Sequence, residues 1–396
     1  MLLIIFIGVI YLVINYFIWS GAIHWFRNLS GALHKRWFSI TFTVIYFFLA
    51  TSIVTCLLFS TGGMKAAMKH ISNVWVGTFI YVLLFLAVAA ITTVILRKLK
   101  IIEKGQGQWR KFVIIRGATV IVLVIGFTLY GLAHMNNIQI TTYDISIDKK
   151  WPGGKDMKIV MVADFHMGYS VGNPLMEQMV DKINAQDADI VFIAGDIFDN
   201  SYEALKEPEK TIEKFKTIKS KYGVYACYGN HDVTENLIGG FSMPSKNPII
   251  NTSQMNDFMK RSNITLLRDE VTEVAGINIV GRRDLDKPGN YSQARLPLTD
   301  LTESLPKNKP MILLEHEPKD LQASADAGVD LEMAGHTHDG QIFPGNLFID
   351  MFWKNACGFV KKDDMNSVVT SGVGVWGPAM RVGTKSEIVV INTKFN

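Results

Sequence analysis

The chain has 396 residues, 48% of them hydrophobic, and a formal net charge of +4. That sum hides a division: residues 1–134 carry 12 of the 40 Lys/Arg and one acid, Glu103, about +11, while the remaining 262 stand near −7. Nucleic acids are bound through clustered Lys/Arg, so an acidic second half excludes them as expected partners, and three cysteines, Cys56, Cys227 and Cys357, are too few and too apolar in setting for a disulfide framework.

Four long, nearly uncharged runs come first, at Met1 to Phe26, Trp37 to Met64, Val74 to Leu96 and Phe112 to Ala133. Each reaches the roughly 20 apolar residues that cross a hydrocarbon core, so residues 1–134 are expected to form an all-α transmembrane four-helix region. The first run has neither a basic leader nor a small-residue cleavage site and is expected to remain as a helix. Trp19, Trp25, Trp37, Trp75 and Tyr130 fall near run ends, where interfacial aromatic residues sit. Arg116 lies close enough to one end of the fourth run to snorkel. His24, His34, His70 and His134 are expected to be solvated, and Asn15, Ser52, Thr92 and Thr93 to bond between helices.

Arg27, Lys35 and Arg36 follow the first run, and Arg97, Lys98, Lys100, Lys104, Arg110 and Lys111 follow the third. The positive-inside rule makes these two loops cytoplasmic. Four crossings then leave the C-terminal half outside, in a multi-pass protein of the cell membrane with an extracytoplasmic second domain.

Residues 135–156 read as a linker, and 157–396 as a separate α/β domain. "MKIVMVAD" (157–164) predicts a strand, and "NPLMEQMVDKINAQ" a helix capped by Asn173 with Pro174 at its first position. "DIVFIAGD" (189–196), "PEKTIEKFKTIKS" and "GVYACYGNHD" (223–232) continue the alternation, which implies a parallel sheet with crossover helices. "GINIVG", "PMILLEHEP", "SVVTSGVG" and "SEIVVINT" predict a second sheet packed on the first, a two-sheet β-sandwich flanked by helices.

Ligand sites of such folds gather at the carboxyl ends of strands, and the polar residues fall there. Strand ends carry Asp164-Phe165-His166, Gly195-Asp196, Gly229-Asn230-His231-Asp232, Glu315-His316 and Gly335-His336-Thr337-His338. Every histidine after residue 135 lies in one of these fragments. Carboxylates, imidazoles and an amide without clustered thiolates suit Mn, Zn or Fe better than Ca, and the donors are too many for one tetrahedral ion.

The order D-x-H, G-D, G-N-H-D, a later H and G-H-x-H resembles the calcineurin-like metallophosphoesterases over roughly residues 155 to 395. "GHTHDGQIFP" with "VVTSGVGVWGPAMRVGTKSEIVVI" is similar to a membrane-anchored bacterial subgroup that includes relatives of UDP-diacylglucosamine hydrolases. The resemblance implies a phosphoesterase with two divalent metal ions. Asp164, His166, Asp196 and His338 would hold one ion, and Asp196 would bridge to a second completed by Asn230, His316 and His336. It also implies His231 as the group that stabilises or protonates the leaving oxygen, Asp232 as the residue that orients it, and Arg381 as a substrate contact. Asp339 and Glu317 depart from the subgroup's pattern and are expected to be surface substitutions.

Arg282 and Arg283 offer further bidentate phosphate contacts, with surface ion pairing as the alternative. Two apolar loops, "NLIGGFSMPSKNPII" and "FPGNLFIDMFWKNACGF", are candidates for a lid or groove touching lipid. A phosphoester substrate, lipid-linked or of the envelope, is therefore expected, against two competing readings: a tethered phosphodiesterase for soluble substrates, and a non-catalytic membrane sensor of phosphorylated ligands.

Overall fold

The structure is a computed structural model that describes residues 2–59, 62–103, 105, 107–235, 237–238, 241–242, 249–250, 253–287 and 294–396. The chain divides into two compact units, Met1–Tyr130 and Gly131–Asn396.

The first unit holds α1 (Leu2–Leu29), α2 (Arg36–Thr55), α3 (Gly62–Lys98) and most of α4 (Gly107–His134). All four are long and apolar enough to cross a membrane. The expected second run is broken: α2 gives way to a 3-10 turn at Cys56–Leu58, and Met64 already belongs to α3. Tyr46, Ala50 and Trp75 form a buried cluster with Trp19, Phe47 and Phe79 packed on it. Trp75, expected at an interface, instead donates to Tyr11 Oη at 2.7 Å, and Asn15 Oδ1 accepts from Tyr46 Oη at 2.8 Å, so polar groups do link these helices.

The second unit begins with the last turn of α4, where Gly131 O accepts from Arg381 N at 3.1 Å. His134, expected to be solvated, bonds the Thr384 carbonyl at 3.1 Å. Residues 135–156, expected as a linker, contain a ten-residue strand, β1 (Ile138–Ile147). The remaining strands of the two main sheets are β2 (Asp156–Val162), β3 (Ile190–Ala194), β4 (Val224–Cys227), β5 (Thr265–Leu266), β6 (Glu270–Val274), β7 (Ile277–Gly281), β8 (Met311–Leu314), β9 (Leu331–Ala334), β10 (Gly358–Lys362), β11 (Met365–Val369) and β12 (Ser386–Phe395).

The first sheet runs β1-β12-β2-β3-β4-β5 and the second β6-β7-β8-β9-β11-β10. "SEIVVINT", expected in the second sheet, is β12 and stands in the first, antiparallel to β2 and parallel to β1. The expected two-sheet α/β architecture is otherwise the one observed.

Alternating side chains explain the sandwich. Ile159, Met161, Phe192 and Ala194 of the first sheet meet Ile279, Ile312, Leu314 and Met333 of the second in one buried cluster. Successive strand residues point to opposite faces, so Val280, Met311 and Leu313 are left for the outer face, where they pack with Leu298 of α6 (Leu298–Thr302) and Leu321 of α7 (Leu321–Asp326). Helix α5 (Asn173–Asn184) buries Leu175, Met176, Met179, Val180 and Ile183. Its N-cap is Gly172 rather than Asn173, whose Oδ1 accepts from Thr211 Oγ1 at 2.7 Å. Strands β2, β3 and β4 are mutually parallel, as are β7, β8, β9 and β11, so the loops that leave these strands carry the candidate residues.

Candidate metal centre

Asp164 and His166 follow β2, Asp196 follows β3, Asn230 and His231 follow β4, His316 follows β8, and His336 and His338 follow β9. Asp164, His166, Asp196, His336 and His338 all take positive φ, between 46° and 74°. Left-handed backbone in five non-glycine residues stores strain of about 1–3 kcal/mol each and turns the side chains off their strands. Glycine provides the clearance beside them. A Cβ on Gly229 would stand 2.3 Å from Asp196 Oδ1, and one on Gly335 2.5 Å from Asp164 Oδ2.

Two groups of donors result. In the first, His166 Nε2 lies 3.0 Å from His338 Nε2, which is 3.7 Å from Asp164 Oδ1. In the second, His336 Nδ1 lies 3.2 Å from His316 Nε2, and Asn230 Oδ1 is 3.0 Å and 3.1 Å from the two rings. Asp196 Oδ2 stands between them, 3.5 Å from His166 Nε2 and 3.1 Å from His316 Nε2. Ligands about 2.1 Å from a common ion are separated by about 3.0–3.4 Å, which the spacings of 3.0–3.2 Å match, while those at 3.5 Å and 3.7 Å are wider. The side-chain sets Asp164, His166, His338 and Asp196, His316, His336 can each hold a metal ion.

The surroundings prepare the donors. His316 Nδ1 donates to Ala194 O at 2.8 Å, which leaves Nε2 free to ligate. Asp164 accepts from the His336 backbone N–H at 3.0 Å, and Asp196 Oδ1 from that of His231 at 2.8 Å. Burial, with the His316 charge adding to it, pushes His336 down to about 3, and burial and His166 push His338 well down, so both rings are neutral and able to ligate. Burial, opposed by His316 and assisted by the adjacent Asp196 charge, raises the Asp164 carboxyl to about 6. At His316 burial opposes protonation, yet Asp196 and Asp164 drive the imidazole upward. The space between these groups thus favours positive charge, which a divalent cation satisfies, and the donor set fits one.

His231 stands beside the first group, its ring centroid 4.8 Å from that of His166. Its Nδ1 donates to Asn200 Oδ1 and lies 3.7 Å from Asp199 Oδ1, which leaves Nε2 as the nitrogen open to chemistry. Asp199 is also 3.7 Å from His166 Nδ1. Burial opposes its ionisation, and the neighbouring His166 and His231 imidazoles outweigh that to hold it down at about 2. Neither Asp199 nor Asn200 was singled out from the sequence. Their signal was a second acid three residues after Asp196, in "GDIFDN".

Several expected residues stand elsewhere. Asp232 does not orient His231 through its side chain, because its carboxylate accepts from the backbone N–H groups of Ile197, Phe198 and Gly229 at 2.9, 2.8 and 2.7 Å. Arg381, expected to contact substrate, has 0% exposure. Its guanidinium donates to the carbonyls of His338, Ser371, Gly372 and Gly374, so it braces the loops behind the ligands. Arg282 pairs with Glu315 at 3.1 Å and Arg283 with Asp269 at 3.4 Å. Glu317 is buried rather than on the surface and pairs with Lys319 at 2.5 Å, while Asp339 is half-buried. The loop "NLIGGFSMPSKNPII" has side chains outside the described residues. The other apolar loop exposes Leu347, Phe348, Met351 and Phe352, and its Trp353 ring lies 5.0 Å from that of His336.

Aspartates and histidines gathered on one rim of a two-sheet α/β fold define a metal-dependent phosphoesterase domain. The chain belongs to the calcineurin-like phosphoesterase family, whose model matches residues 157–340. A metallophosphoesterase of Campylobacter jejuni is 31% identical over 273 residues, covering 68% of this chain and 67% of that protein. One from Helicobacter pylori is 30% identical and covers 60% of each chain. A transmembrane protein with metallophosphoesterase domain from Danio rerio is 29% identical, over 70% of this chain and 62% of its own length. With that relative, the four apolar helices mark a membrane protein. Among solved structures, a 5'-nucleotidase precursor from Thermus thermophilus matches with a TM-score of 0.36 and 15% identity, over 60% of this chain and 55% of that one.

Proposed function

We propose that the protein is a membrane-bound, two-metal phosphoesterase that hydrolyses a phosphodiester, phosphomonoester or pyrophosphate bond of a lipid-linked or envelope substrate. The carrying observation is Asp196 Oδ2, within 3.5 Å of His166 and 3.1 Å of His316, the position of a carboxylate shared by two ions. Asp164, His166, Asp196 and His338 would hold one ion, and Asp196, Asn230, His316 and His336 the other. Mn, Zn or Fe suits this oxygen and nitrogen set.

Such ions lower the pKa of bound water and polarise the phosphoryl group. The chain's own contribution is positional. Asn200 holds His231 Nδ1 with the Asp199 carboxylate 3.7 Å away, so Nε2 presents the proton that the leaving oxygen takes. Arg381 fixes the His338 carbonyl and the 371–374 loop that surround Asp164.

A lipid-linked substrate is favoured by the four apolar helices and by the exposed Leu347, Phe348, Met351 and Phe352, contiguous in sequence with Trp353 beside His336. An extracytoplasmic domain is favoured by the basic loops after α1 and α3. The deciding experiment compares cleavage of a soluble phosphodiester and a lipid-linked pyrophosphate by the full-length protein in detergent with Mn²⁺, with Asp196→Asn as the blank. Lipid-substrate turnover abolished by Asp196→Asn supports the reading. Turnover confined to the soluble ester supports a tethered phosphodiesterase, and two bound metals without turnover support a sensor.

A further inference from the structure

Within the first unit, α1, α3 and α4 line a cavity of about 530 Å³ that is open on one side, where Phe17, Leu86, Ile121 and Ile125 are exposed. That is the size range of small-molecule sites, about 300–1,000 Å³. Trp25, Leu86, Val120 and Ile125 are among its lining residues, and one lining residue, Arg116, is charged. From Arg116 to Ile125 the cavity follows ten residues of α4, nine steps or about 13.5 Å at the helical rise.

Arg116 does not simply snorkel. Its Nη1 donates to Thr93 Oγ1 on α3 at 3.0 Å, and the guanidinium lies 5.9 Å from the Phe112 ring centroid. Both contacts are neutral, and in the sequence of residues 1–134 the one carboxylate is Glu103, in the loop between α3 and α4. A cation inside an apolar span is expensive without an anion. The next residue, Gly117, admits Trp25 so closely that a Cβ there would lie 2.1 Å from Trp25 Nε1, which donates to Val113 O at 3.0 Å. That indole is fixed against α4 beside Arg116.

Arg116 is four residues, about 6 Å, past the start of the apolar run at Phe112, and helical side chains lean toward the N-terminus. The guanidinium therefore reaches the level of lipid phosphates in the leaflet that faces the basic residues 97–111. We propose that this cavity binds one anionic phospholipid, an acyl chain filling the space along α4 and the phosphate pairing with Arg116. Arg matches phosphate in a bidentate manner, and the cavity walls match the chain. The site is independent of phosphoester hydrolysis.

The test is native mass spectrometry of the full-length protein in neutral detergent, titrated with phosphatidylglycerol or with phosphatidylcholine of the same acyl chains. One phosphatidylglycerol is expected to be retained, with at least tenfold preference over phosphatidylcholine, and Arg116→Gln is expected to erase that preference. Gly21→Leu is the second variant: Gly21 lines the cavity with nothing within 4 Å of an added Cβ, so a leucine fills the space while Arg116 stays. It is expected to abolish retention, and it decides the matter if Arg116→Gln does not fold. Equal retention of the two lipids, unchanged retention by both folded variants, or no lipid on a dimer that Gly21→Leu splits would each overturn the proposal, the last by assigning the cavity to a second copy of the chain.

Discussion

Gly229→Ala tests whether the close packing around Asp196 is what shapes the metal centre. The added Cβ would lie 2.3 Å from Asp196 Oδ1, 2.7 Å from Asp196 N and 2.8 Å from His316 Cδ2. Carbon and oxygen ordinarily approach to about 3.3–3.6 Å, so something must yield by about 1 Å. Every atom in the way belongs to a ligand or its backbone. Overpacking of this kind costs about 1–3 kcal/mol of stability, and displaced supporting geometry weakens metal binding about 10–100-fold. Gly172→Ala is the control, since its Cβ would meet only Pro174 Cδ at 3.8 Å. Mn²⁺ affinity by calorimetry and thermal unfolding with and without chelator should therefore separate the two variants. Wild-type affinity and stability in Gly229→Ala would refute the reasoning.

Asp199→Asn should lower kcat about 10-fold or more with little change in KM, and should move the basic limb of the pH profile to lower pH. Burial depresses the His231 pKa while Asp196 and Asp199 raise it above the ordinary value, so removing one carboxylate makes the proton leave earlier; an unmoved limb would exclude this role. Arg381→Met should destabilise the second unit by about 3–5 kcal/mol, because carbonyls in a buried network lose their donor; a stable variant with only a raised KM would restore Arg381 as a substrate contact. Burial and the Glu315 charge push buried Glu332 up to about 8. Between about 4.5 and 8 the folded state then binds the extra proton, so stability falls as pH rises through that window. Glu332→Gln should flatten this slope in denaturant titrations at pH 5 and pH 8, and an unchanged slope would count against it.

Much of the candidate metal centre was legible because the order of strand ends is a local property. Runs such as "DIVFIAGD" declare a buried strand and the carboxylate after it, and all five histidines past residue 135 lie at such ends. The departures share one cause. "IQITTYDISI" looked like linker because it is an edge strand whose partner, β12, lies more than 200 residues away. "SEIVVINT" reads equally well as a strand of either sheet, and only the pairing with β1 and β2 assigns it.

The sequence by itself determined the division into an apolar basic part and an acidic α/β part, the strand and helix alternation, and the inventory of metal donors. Periodicity, charge and spacing are written residue by residue, and need no distant partner to be read. The tertiary structure alone decided the direction of each side chain. It turned Asp232 onto three backbone amides, set Asp199 and Asn200 against His231, and buried Arg381 under four carbonyls. Those choices depend on left-handed turns and on loops brought together from distant points of the chain, whose energies exist only once the two sheets have packed.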